Sequence, residues 1–111
     1  MNSKSLYAKY ILERENKSCL ETEDGFATYV YNEDYVYIED IYVVPEKRKE
    51  NIAASLADKI AEEAKAKGYK KMVGSVVPYA KGATNSLKVL LAYGMRLSHS
   101  NEHIIYFTKE L

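Results

Sequence analysis

Ile41-Tyr42-Val43-Val44-Pro45-Glu46-Lys47-Arg48-Lys49-Glu50-Asn51-Ile52-Ala53-Ala54-Ser55-Leu56 changes its hydrophobic period at the proline. Upstream of Pro45 the chain is almost continuously β-branched or aromatic from Tyr35 to Val44. Such a run reads as a central strand covered on both faces, and its two acids, Glu39 and Asp40, are the anomaly. Pro45 ends the strand because it has no N–H for the ladder. After the charged stretch Glu46 to Glu50, Ile52, Leu56, Ile60 and Ala64 recur every four residues, with Lys and Glu on the opposite face and Gly68 as the stop. That spacing predicts an amphipathic helix.

Outward from this junction the other elements follow. Ser18 to Thr22 and Phe26 to Tyr31, separated by Glu23-Asp24-Gly25 and followed by Asn32-Glu33-Asp34, predict an antiparallel meander that ends in the Tyr35 strand. Ser3 to Glu15 predicts a helix with Leu6, Tyr10 and Ile11 on one side. Lys71 to Val77 predicts a strand, and strand, helix, strand in that order implies a parallel pair joined by a right-handed crossover. Ser86 to Tyr93 predicts a helix stopped by Gly94, and His103 to Thr108 a last strand beyond the polar loop Ser98 to Glu102. The fold class is therefore α/β with a mixed sheet: an antiparallel meander, a βαβ unit, and a C-terminal helix and strand. Residues 1–111 read as a single domain.

The composition narrows the function. Sixteen Lys+Arg balance sixteen Asp+Glu, so the chain lacks the basic footprint that phosphate neutralisation needs, and nucleic acid is not an expected partner. One cysteine, Cys19, excludes an internal disulfide and reads as a small apolar filler. His99 and His103 have no third ligand nearby, so no metal is expected. No apolar run reaches membrane-spanning length and the first residues are polar, so no membrane is expected and a cytoplasmic location is the default. The eleven tyrosines are expected to fill the core and rim a cleft.

The junction resembles motif A of the Gcn5-related N-acetyltransferases, the GNAT superfamily. That pattern is an aliphatic-x-Val-x-Pro strand end, then Arg/Gln-x-x-Gly-x-Gly/Ala opening a helix, and Arg48, Asn51 and Ala53 occupy the three signature positions. Ser86 to Met95 resembles the family's second cofactor helix, and Met72 to Val77 falls where its splayed strand should lie. The likeness runs from about Phe26 to Thr108, with an N-terminus shorter than a full member's. The physical basis of motif A stands apart from the name: a helix start presents unpaired N–H groups and the positive end of a dipole, which suits a pyrophosphate. Arg48, Lys49, Glu50, Asn51, Ile52 and Ala53 would supply those donors, with Ala53 and Ala54 small enough for close approach. Asn51 replaces a glycine at a position where positive φ is expected, and Asn tolerates it best among the others.

The resemblance implies acetyl-CoA as cosubstrate and direct transfer of its acetyl group to a primary amine of a small molecule or protein. It further implies that backbone groups of Ile41 and Val43, with Val44 beside them, meet the pantetheine arm and thioester, and that Ser86 touches the cofactor. A carboxylate in the strand can deprotonate the amine; Glu39 is the first choice, with Tyr37 and Tyr35 of the same parity. Asp40 takes the opposite face in a regular strand, and a β-bulge would change which acid faces the cleft. The family's general acid falls at Leu90, so Tyr93 is the substitute. Asn51, Glu50, Leu90 and Ala83 depart from the pattern and support the alternative, a catalytically silent module that binds CoA or a protein partner. The tyrosine-rich, abbreviated sheet makes a homodimer an expectation.

Overall fold

The computed structural model describes residues 5–111. The start of the expected first helix, Ser3 and Lys4, lies outside them. The described helix α1 runs Leu6–Glu15, capped by the Ser5 hydroxyl, which accepts from the Ala8 N–H at 3.0 Å, and closed by Asn16 in the left-handed region at φ 56°. Ala8 and Ile11 are its buried residues, whereas Leu6 is 84% and Tyr10 52% exposed. The expected apolar side is thus corrected in part: Ile11 is buried together with Ala8, whereas Leu6 and Tyr10 face outward.

The meander is β1 (Ser18–Glu21), β2 (Gly25–Tyr31) and β3 (Tyr35–Val43). A 3-10 turn, Pro45–Lys47, leads to α2 (Ile52–Ala66), then β4 (Lys71–Val76), α3 (Ala83–Ala92), β5 (Arg96–Ser100) and β6 (Ile105–Glu110). The sheet order is β1-β2-β3-β4-β6-β5, with β3 and β4 parallel and the other neighbours antiparallel. The mixed α/β class is as the sequence implied. The strand β5 was not expected: it occupies part of the region read as a polar loop, and every one of its residues is exposed. An edge strand held by backbone bonds to one neighbour needs no apolar alternation, so periodicity does not reveal it.

The core lies on one face. Leu56 and Ile60 of α2 pack with Val36 of β3 and Met72 of β4, all four fully buried. Leu90 of α3 and Met95 sit over Gly74 of β4, on the same face as α2. β3 is central, yet only Val36, Ile38 and Val43 are buried in it, so the expectation of cover on both faces is also corrected. The helix α1 packs on β1, and its buried residues lie outside the core cluster; Thr28, of opposite parity to Ala27 and Tyr29, is buried as well. That places α1 on the second face, at the β1–β2 end. The second face of β3, β4, β6 and β5 stays open.

Candidate active site

Two local features build the site, a split between parallel strands and a turn with unpaired amides. β3 and β4 pair only at Tyr35/Lys71, Val36/Met72 and Tyr37/Val73. Beyond that point β3 continues for six residues to Val43, and β4 turns its next residues to β6 alone, so the two strands part. At the mouth of the split the Tyr37 hydroxyl and Ser75 Oγ lie 2.6 Å apart in a hydrogen bond. Ser75 was missed as a candidate, although its parity, opposite to Met72 and Val76, would have put it on the open face.

Within the split, β3 carries a bulge. Thr28 faces Asp40 and Tyr29 faces Ile38, which leaves Glu39 without a partner residue on β2. The extra residue resets the alternation, returning Ile41 and Val43 to the core face and Asp40 to the open one. The Glu39 side chain is half-buried and reaches across β2 to Lys17, whose Nζ lies 2.9 Å from Oε1. The hydrogen bonds that Lys17 donates to Glu39, and then to Glu15, raise its pKa above its ordinary value and keep it charged. Asp40 Oδ2 accepts from the Thr28 hydroxyl at 3.4 Å. Both acids therefore stand on the strand that borders the split, but their contacts lie on its β1–β2 side, with one oxygen of Glu39 committed to an ammonium.

The backbone of β3 is oriented by its ladder. The Val44 N–H donates to the Asp24 carbonyl at 2.9 Å, while Val43 lies opposite Gly25. In an antiparallel pair that arrangement points the N–H and C=O of Val43, and of Ile41 two residues before it, away from β2 and into the split. The Val43 carbonyl is taken by Arg48 Nε at 2.9 Å, whose guanidinium also lies over the Tyr42 ring at 5.7 Å. The Val43 N–H and both backbone groups of Ile41 remain directed at the gap, and Val44 does not contribute an N–H.

The turn after Pro45 commits some amides and leaves others. The Arg48 N–H donates to Pro45 O at 3.4 Å and the Glu50 N–H to Lys47 O at 3.2 Å. The amides of Lys49, Asn51, Ile52, Ala53 and Ala54 have no backbone acceptor, and no side chain caps α2. Asn51 takes the left-handed conformation at φ 60°, as the missing glycine required. Glu50 is drawn toward Lys47, Nζ to Oε2 3.8 Å, which offsets its charge beside the free amides. Five unpaired N–H groups at the positive end of a fifteen-residue helix, flanked by alanines, fit a diphosphate.

The α3 side is less equipped. Ser86 lies exposed in the first turn of α3. Leu90 packs over Gly74, with Cδ2 3.4 Å from where a Cβ would stand, so it offers no proton. Tyr93 donates to Asp58 Oδ1 of α2 at 2.7 Å, with Lys109 Nζ 3.9 Å from its ring centroid. Burial, then that bond to Asp58, raises its pKa and holds it protonated. Its hydroxyl is spent on tying α3 to α2 rather than brought to the split. Cys19 is pushed up to about 11 by burial and by Glu21, so the thiol is a poor nucleophile.

A family model described as "Acetyltransferase (GNAT) family" matches residues 5–88. Solved structures share the fold at low identity. An acetyltransferase from Elizabethkingia anophelis with acetyl-CoA bound superposes with a TM-score of 0.71 at 18% identity, over 96% of this chain and 85% of its own. An acetyltransferase from Bacillus subtilis in complex with CoA gives 0.71 at 15%, over 95% and 82%. The PaiA N-acetyltransferase of Thermoplasma acidophilum, in complex with coenzyme A, gives 0.71 at 15% over 79% of this chain, which covers 54% of that protein's length. No curated protein matches in sequence. With the family model spanning most of its length, from the α1 cap into α3, the chain belongs to the acetyltransferase (GNAT) family.

Proposed function

We propose that the chain binds acetyl-CoA and transfers the acetyl group directly to a primary amine. The observation that carries this is the conjunction of the strand split after Tyr37/Val73 with the unpaired amides of Lys49 and of Asn51 to Ala54. Those amides would hold the diphosphate, and the Val43 N–H and the backbone groups of Ile41, which face the split, would receive the pantetheine as an added strand does. The cosubstrate supplies an acetyl thioester, and this chain's residues do the rest. The free oxygen of Glu39, or Asp40 beside it, takes a proton from the ammonium, and the Val43 N–H faces the carbonyl oxygen that gains charge as the amine adds. Tyr37 at the mouth of the split would orient the amine or a water. With Leu90 apolar and Tyr93 committed to Asp58, the departing thiolate takes its proton from solvent. A thiol pKa of about 8.5 makes it a tolerable leaving group.

A second reading is favoured by those same two residues and by the Lys17–Glu39 pair: a silent module that holds the coenzyme or a protein without turnover. Calorimetric titration with acetyl-CoA, followed by thiol release in the presence of amines, separates the two. Saturable binding with amine-dependent CoA release is the expected outcome. Binding without release at any amine selects the silent module, and no binding at millimolar coenzyme removes both coenzyme-based readings.

A further inference from the structure

Lys17 is the residue before β1, and its backbone is pinned where α1 ends. Its N–H donates to the Ile11 carbonyl at 3.3 Å, beside the Asn16 N–H on Leu12 O at 3.1 Å, a Schellman-type closure. From that fixed root Nζ reaches two carboxylates, Glu15 Oε1 at 3.0 Å and Glu39 Oε1 at 2.9 Å. Among the described residues it is the one cation within 4 Å of Glu39. The Lys17 and Glu39 side chains are each 28% exposed, so water screens the pair less than it screens an exposed one. Two strand spacings of about 4.8 Å separate β1 from β3. A lysine rooted beside β1 therefore meets Glu39 over β2, where the carboxylate leans back from the split.

Glu39 has a second place to go. It is the bulged residue and has no partner on β2, so no cross-strand side chain locks it. Rotation between staggered rotamers swings its carboxylate across β3. Lys17 loses little on release, since Glu15 still holds its ammonium. The proposed proton acceptor is thus kept on the far side of its own strand by a primary ammonium, the same group that an amine acceptor brings. We propose that Lys17 is a positioning residue that withholds Glu39 from the split until the ammonium of an acceptor draws it away. The inference rests on the acetyltransferase reading for its consequence in turnover, whereas the exchange itself is an equilibrium of two ammonium groups for one carboxylate. A neutral side chain at position 17 leaves Glu39 free to turn, and an incoming amine then has no tethered competitor to displace.

The probe is n-butylamine, which carries the lysine ammonium on the same four-carbon stem. Titrated into the whole protein and followed by NMR at the Glu39 and Ile41 amides, it is expected to bind Lys17→Met about tenfold more tightly than the parent, and Lys17→Arg no more tightly than the parent. A role for Lys17 in stability alone would not tighten an amine, so the sign of the change is the deciding readout. Equal, weaker or undetectable binding by folded Lys17→Met overturns the proposal; should that variant not fold, Lys17→Gln is read in the same way. The pair itself is checked by acetic anhydride labelling read by mass spectrometry. Glu39→Gln should raise the labelling of Lys17 about tenfold, as one unit of pKa does to the free amine, and an unchanged rate overturns the proposal as well. Failure of the acetyltransferase reading shows separately, as no calorimetric signal with acetyl-CoA, while the amine comparison is decided without the coenzyme.

Discussion

Glu39 owes its place to one unpaired residue, and what it does there can be separated from what it holds. With Glu39 as the proposed proton acceptor, Glu39→Gln should lower kcat by about a hundredfold or more, with the KM for acetyl-CoA nearly unchanged. Asp40→Asn should have the smaller effect, and a reversed order would give Asp40 the role. Tyr29 makes a stability prediction of its own. Burial and its 2.7 Å bond to Glu63 raise the phenol above its ordinary 10.0, so the folded chain stays protonated where the unfolded one ionises. That contribution is complete below pH 10 and is lost as pH rises beyond it. The urea midpoint should therefore fall above pH 10, and Tyr29→Phe should flatten the fall; an unchanged slope would remove Tyr29 as a source.

The turn proposed to hold the coenzyme and the strand that feeds it depend on two backbone positions. Asn51 at φ 60° carries the left-handed start of α2, and Asn51→Ala should cost about 1 kcal/mol in thermal or urea unfolding, whereas Asn51→Gly should be neutral or slightly stabilising. Gly25 faces Val43 at the end of β3, and a Cβ there would stand 2.3 Å from the Tyr42 carbonyl oxygen. Gly25→Ala must push Tyr42 and Val43 aside, at a cost of about 1–3 kcal/mol, and should weaken acetyl-CoA binding because Val43 borders the split. A variant as stable and as tight as the parent would show that β3 has slack at that end. The α2 and β4 elements were legible in the sequence because α2 buries one face against the sheet and β4 one face beneath the helices, so each repeats at its own period. The β5 edge was not, because its residues are exposed and its pairing is made by backbone.

Across the whole molecule, binding and folding are linked. A ligand that holds only the folded chain should raise stability by about 2.7 kcal/mol at a hundred times its Kd, so acetyl-CoA should lift the melting temperature in a concentration-dependent way. A melting temperature indifferent to the coenzyme would argue against a site made by the folded turn and split together. The strand, turn and helix around Pro45 and the order of most elements were written in the sequence, as was the asparagine that opens α2. Those depend on local chemistry: a missing N–H at the proline, an apolar residue every fourth position, and an asparagine able to take positive φ. Only the tertiary structure decided that Glu39 is the bulged residue, that Lys17 holds one of its oxygens, and that Tyr93 is bound to Asp58. It also decided that Ser75 meets Tyr37 and that His99 stacks on Tyr106. Such facts join residues far apart in sequence, and ladder register and strand divergence fix them through contacts that no local pattern encodes.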